Sequence, residues 1–167
     1  MSPAFLPVAP RHRRWRSAWV LLVASLLACA RPQPPRVIPR VVQVAAVSPG
    51  GIDLDVQLGV HNPNGFALSA EAVTGTLYVG REQRLGTGEA HPEQPILANS
   101  DGVVASRVHI DWADVGALLP LLGAERVPYE FRGDVTLGGE SLHVTLPFSL
   151  TGALTRAELI QAGLRGF

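Results

Sequence analysis

The stretch Val127-Pro-Tyr-Glu-Phe-Arg-Gly-Asp-Val-Thr-Leu-Gly-Gly-Glu-Ser-Leu-His-Val-Thr-Leu-Pro-Phe-Ser-Leu150 decides the fold class. Val127, Tyr129, Phe131, Gly133, Val135 and Leu137 alternate with Pro128, Glu130, Arg132, Asp134 and Thr136, and the alternation resumes with Leu142, Val144, Leu146, Phe148 and Leu150. A period of two puts one side of an extended chain in a core and the other in water, whereas a helix would scatter the same apolar groups around its cylinder. Gly138-Gly139 between the two runs predicts a two-residue hairpin loop of the primed type. That loop sets Val135 against Leu142, Gly133 against Val144, Phe131 against Leu146 and Tyr129 against Phe148, so every core-face residue meets another. Pro147 faces out and cannot donate to a neighbour, which predicts an edge strand or a bulge.

Towards the N-terminus the same rhythm recurs. Ile52, Leu54, Val56, Leu58 and Val60 alternate with Asp53, Asp55, Gln57, Gly59 and His61, and the run stops at Asn62-Pro63-Asn64-Gly65, a turn by its residue types. Val73 to Val79, Arg84 to His91 and Val103 to Ile110 read as further strands, and a segment from Val37 to Val47 precedes them all. One interval departs from the rhythm: Val115, Leu118, Leu119 and Leu122 fall at helical spacing between a capping Asp111 and Gly123. About seven short strands and one short helix predict an all-β fold, an immunoglobulin/fibronectin-like β-sandwich with a barrel as the runner-up. The Cys…Trp…Cys spacing of true immunoglobulin domains is absent.

The first residues have a different character. Arg11, Arg13, Arg14 and Arg16 precede the apolar run from Ser17 to Ala28, which at 12 residues is too short to cross a hydrocarbon core that needs roughly 20 helical residues. Leu26-Leu27-Ala28-Cys29 resembles the lipobox of bacterial lipoproteins, which implies cleavage before Cys29 and lipidation of that cysteine. Residues 1–28 are therefore expected to be a signal peptide and 29–36 a lipidated, proline-rich tether. Residues 37–153 would form the folded domain and 154–167 a tail. Ala30, in the place where Asp is the familiar inner-membrane retention signal, implies an outer-membrane location facing the periplasm. The lipid makes the membrane the first expected partner.

Cys29 is the only cysteine, so the body of the chain has neither a disulfide nor a thiolate cluster. Subtracting the four arginines of the leader from the 14 basic residues leaves 10 against 14 acidic ones, a formal charge of −4. That balance lacks the basic footprint of a nucleic-acid binder.

Val60-His-Asn-Pro-Asn-Gly-Phe66, Leu77-Tyr-Val79, Gly86-Thr-Gly88, the segment from Leu118 to Leu122, Tyr129-Glu-Phe-Arg-Gly133 and Leu146-Pro-Phe148 together resemble the LEA type 2 family, also called the WHy (water stress and hypersensitive response) domain. The likeness runs from about Val44 to Gly152, and its most specific element is Asn62-Pro63-Asn64. It implies a fibronectin-type sandwich, no catalytic residues, and a role in desiccation or other stress tolerance. With the leader it implies an envelope lipoprotein. The alternative is a protein- or ligand-binding scaffold module of a periplasmic envelope assembly.

The remaining residues offer little chemistry. His61, His91, His109 and His143 have no short ligand spacing, and three of them fall on wet strand faces. Asp134 opposite His143 with Ser141 nearby resembles a triad, but on an open face without oxyanion donors. Asp53 and Asp55 share a face as solubilising charges. Neither catalytic residues, nor metal, nor cofactor are expected. Asn62, Pro63 and Asn64 are read as a structural turn. Trp112, Leu118, Leu119, Leu121 and Leu122 exceed what one face of a two-turn helix needs, which makes them a candidate surface for an envelope protein or an apolar ligand.

Overall fold

The computed structural model describes residues 31–80, 82–113 and 124–165. The chain forms β1 (Arg36–Val47), β2 (Gly51–Asn62), β3 (Leu68–Val79), β4 (Gln83–Ala90), β5 (Gln94–Ile96), β6 (Ser100–Asp111), β7 (Arg126–Gly139), β8 (His143–Thr155) and a helix α1 (Arg156–Arg165). The alternation predicts the faces: Ile52, Leu54, Val56, Leu58 and Val60 are all buried, as are Val127, Tyr129, Phe131, Val135 and Leu137. Residues 1–30, including Cys29, lie outside the described residues, as do 114–123 with most of the expected short helix.

The sandwich expectation is corrected. All strands belong to one antiparallel sheet in the order β1-β2-β6-β4-β3-β7-β8, with β5 also on β3, and the sheet curls into a nearly closed barrel. A sandwich requires two separate sheets. Here β4 pairs β3 on one side and β6 on the other, so the two halves are stitched together. The curl has a local cause. Gly88, Gly75 and Gly133 stand directly opposite one another on β4, β3 and β7. A Cβ on Gly88 would strike the His109 carbonyl, one on Gly133 the Thr74 carbonyl, and one on Gly75 the ring of Phe131. Three side-chain-free positions in one row let the sheet bend there, with the Phe131 ring filling the inside of the bend. Phe131 packs on Phe148 with ring centroids 5.7 Å apart.

The hairpin register is corrected as well. Val135 lies opposite Leu146, Gly133 opposite Phe148 and Leu137 opposite Val144. The loop residues are Glu140 and Ser141, with Gly139 donating to the Leu142 carbonyl at 2.8 Å. Gly138 and Gly139 pair with Ser69 and Leu68 of β3. A Cβ at Gly139 would crowd Leu68 and the Ala67 carbonyl, whereas one at Gly138 would meet only the movable end of the Glu71 side chain. Pro147 lies on β8, the last strand of the order, where its missing N–H breaks no outer ladder.

Beyond residue 153, where the sequence reading sets a tail, β8 continues into α1. Thr155 and Glu158 form a capping box: the Glu158 carboxylate accepts from the Thr155 N–H at 2.8 Å and the Thr155 hydroxyl accepts from the Glu158 N–H at 3.2 Å. Buried Ala162 anchors the helix. The sheet's end strands, β1 and β8, run parallel and share no ladder, and Tyr129 of β7 reaches across this seam to β1 by donating its hydroxyl to the Val42 carbonyl at 2.9 Å.

Candidate functional site

The Asn-Pro-Asn turn ends β2. Pro63 cannot extend the ladder, and both asparagine side chains turn inward, Asn62 fully buried and Asn64 nearly so. The Asn62 amide donates to the carbonyls of Phe66 at 2.8 Å and Leu97 at 3.0 Å. Its oxygen accepts from the backbone and side-chain nitrogens of Asn64, both at 3.1 Å. The Asn64 side chain in turn pairs with the backbone of Gln33 as a strand would, accepting from its N–H at 2.7 Å and donating to its carbonyl at 2.9 Å. The main-chain carbonyl of Asn64 accepts from Asn99, a residue with φ of 49°. Three segments distant in sequence are knotted here. Both side chains direct all their polar groups into the fold, which leaves none for a ligand. The proline-rich segment does not stand free at Gln33, and Pro35 behind it is buried.

Trp112 is half-buried against the core, its indole N–H donating to the Ser48 carbonyl at 3.0 Å. Leu118, Leu119, Leu121 and Leu122 lie outside the described residues.

The titratable residues of the wet faces are paired across strands. Asp53 lies opposite His109 with the carboxylate 2.6 Å from Nδ1, and Asp55 opposite Arg107 at 2.8 Å. His61 lies opposite Asp101 at 2.8 Å. The triad-like arrangement dissolves with the corrected register: Asp134 faces Pro147, and His143 lies 3.4 Å from Glu71. A network that the sequence reading missed lies on β7 and β8. Glu130 accepts from Arg132 at 2.7 Å and from the Ser149 hydroxyl at 2.6 Å, while the Arg132 guanidinium sits 5.0 Å above the Tyr78 ring. These donors pull the Glu130 carboxyl down to about 2. Its signal in the sequence is the outward pair Glu130 and Arg132 on one strand; Ser149 joins only in the true register, opposite Arg132. Among the described residues no group of three or more His, Cys, Asp or Glu could hold a metal ion. The concave feature at the sheet's open seam is a groove of about 420 Å³ lined by Val41, Gln43, Val44, Ala153, Glu158 and Gln161 among others.

Residues 57–152, from within β2 to near the end of β8, match the family model of LEA_2, late embryogenesis abundant protein. The chain belongs to this family. Domains of the LEA_2 family are non-catalytic. No curated protein matches the sequence. Among solved structures, it is similar to the solution structure of a protein from Arabidopsis thaliana, at 13% identity and a TM-score of 0.59, covering 77% of this chain and 88% of that one. It is similar also to the solution structure of a late embryogenesis abundant protein, at 15% identity and a TM-score of 0.53, covering 85% and 87%.

These findings correct the expectation of a lipid-anchored outer-membrane protein for stress tolerance. Both similar proteins were solved in solution, which lends no support to a lipid anchor, a periplasmic placement or an apolar ligand. Likeness at this identity establishes the fold alone, so it brings no desiccation role. In the described LEA_2 domain no helix is long and apolar enough to cross a membrane.

Proposed function

We propose that this LEA_2 domain is a non-enzymatic protein-binding module that receives an extended segment of a partner polypeptide along the seam between β1 and β8. The observation that carries the reading is the topology. Among the described residues the antiparallel order leaves the two end strands parallel and without a shared ladder, so their facing edges carry backbone donors and acceptors, of which the Val42 carbonyl is taken by Tyr129. Such an edge is the usual template for strand addition by a partner. The groove beside it mixes apolar Val41, Val44 and Ala153 with polar Gln43, Glu158 and Gln161. That lining suits a polypeptide with alternating side chains. The Asn-Pro-Asn knot, with its groups engaged internally, is the scaffold and not the contact surface.

The test is a photocrosslinker placed at Gln43 or Gln161 in the full chain, both being exposed positions of the groove. Crosslinked peptides from one partner at both positions, lost in a Gln43→Arg/Gln161→Arg variant with an unchanged melting midpoint, support the reading. The same partner recovered equally by that variant overturns it.

A further inference from the structure

A trough crosses the outer face of the sheet above the glycine row, and it shares no lining residue with the seam groove. Two shallow concavities of about 480 and 550 Å³ have Arg132, Gly133 and Asp134 in common and so run into one another. Gly75, Gly88 and Gly133 form the floor. They sit at core-facing positions of their strands, yet each is only half-buried. A sheet that bends inward at a row without side chains splays the outward residues on either side of that row, which opens the trough.

The register builds the walls. On one side Thr74 stands between Glu89 of β4 and Asp134 of β7; on the other, two residues along, Thr76 stands between Thr87 and Arg132. The far end lies at Pro147 and Ser149 of β8. Strand geometry sets the walls about 7 Å apart and gives the trough a length of about 14 Å from β4 to β8.

Its polar groups fall into two kinds. The Arg132 guanidinium and the Ser149 hydroxyl are engaged by Glu130, and Glu89 lies 3.2 Å from His91. Farther along the same face Thr136 and Thr145 bond to each other at 3.1 Å. The hydroxyls of Thr74, Thr76 and Thr87 and the carboxylate of Asp134 have no such partner among the described residues. Each hydroxyl both donates and accepts, and the carboxylate accepts.

We propose that the trough binds a neutral saccharide chain, whose hydroxyls exchange hydrogen bonds with Thr74, Thr76, Thr87 and Asp134.

The lining selects against other ligands. Glu89, Glu130 and Asp134 outnumber Arg132, so an anion is repelled. β3 and β7 are paired on both sides and offer no edge for an added strand. The apolar side chains are confined to Pro147 and Phe148 at one end, which leaves a peptide without a central anchor. A chain of sugar rings carries hydroxyls along both of its edges and meets both walls at once.

Titration of the full chain with cellopentaose and, separately, maltopentaose, followed by amide NMR shifts, tests the site. Saturable shifts at residues 74–76, 87–89 and 132–134 are expected with at least one of the two, half-complete below about 10 mM. Thr76→Val/Thr87→Val keeps the shape of both side chains and removes both hydroxyls, and should raise the half-saturation at least about fivefold. If that variant does not fold, Thr74→Val takes its place with a rise expected in the same direction. No saturable shift with either saccharide up to about 20 mM, shifts centred elsewhere, or an unchanged half-saturation in the variant overturns the proposal. Pentalysine moving the same amides while neither saccharide does would also overturn it, in favour of a basic peptide.

Discussion

The hydroxyl of Tyr129 donates a 2.9 Å hydrogen bond to the main-chain carbonyl of Val42, joining β7 to β1 across the seam where the ladder stops. The ring lies over Gly152, whose lack of a side chain makes room for it. Burial pushes the phenol above its ordinary value of 10, so the donor proton stays in place through physiological pH. Tyr129→Phe keeps the packing and removes the bond. The expected loss is about 1 kcal/mol in denaturant unfolding, with faster amide exchange confined to β1. An unchanged β1 would show that packing alone holds the seam.

Asn64→Ala removes the strand-like pairing to Gln33 and one partner of buried Asn62. A destabilisation of about 1 to 3 kcal/mol is expected, the range for leaving buried polar groups unpaired. Limited proteolysis should then cut near Gln33 in the variant before the barrel itself opens. Asn62→Ala strips the carbonyls of Phe66 and Leu97 at once and should cost more.

The glycine row gives a steric prediction. Gly133→Ala places a methyl against the Thr74 carbonyl, a backbone atom that cannot swing away, and overpacking of this kind costs about 1 to 3 kcal/mol. Gly65→Ala is the control, because a Cβ there meets nothing within 4 Å. Thermal melts of the two variants should separate clearly. Equal midpoints would mean that the bend does not depend on the row.

Glu130 supplies the acid limb of the stability profile. Its carboxyl is held at about 2, against an ordinary 4.5, by the Arg132 guanidinium and then the Ser149 hydroxyl. A depressed carboxyl stabilises fully above its unfolded value, and the contribution disappears as pH falls from 4.5 through about 2. Glu130→Gln should flatten that part of the curve in denaturant melts by lowering stability at neutral pH and not at acid pH, by a small amount because the network is exposed and screened by solvent.

The hairpin of β7 and β8 shows where sequence reasoning stops. Its faces were readable, but the Gly138-Gly139 loop was the wrong choice by two residues on each strand. An even slip leaves every side chain on the same face, so patterning could not reject it. Only the third strand decides: both glycines are paired in the ladder with β3, and the turn moves to Glu140-Ser141. The Thr155-x-x-Glu158 capping box that announces α1 was legible but went unread inside the expected tail, although a cap is a matter of neighbours three residues apart.

The sequence by itself determined which residues face the core from Ile52 to Val60 and from Val127 to Leu137, because burial on a strand follows from a local period. It also determined the family, through landmarks strung along the chain in order. Only the tertiary structure decided that one sheet curls into a barrel, that Asn64 ties down Gln33, and that His109 pairs with Asp53. Each of these joins residues far apart in the chain. Their pairing depends on how strands twist and close around a shared core, and no window of neighbouring residues carries that information.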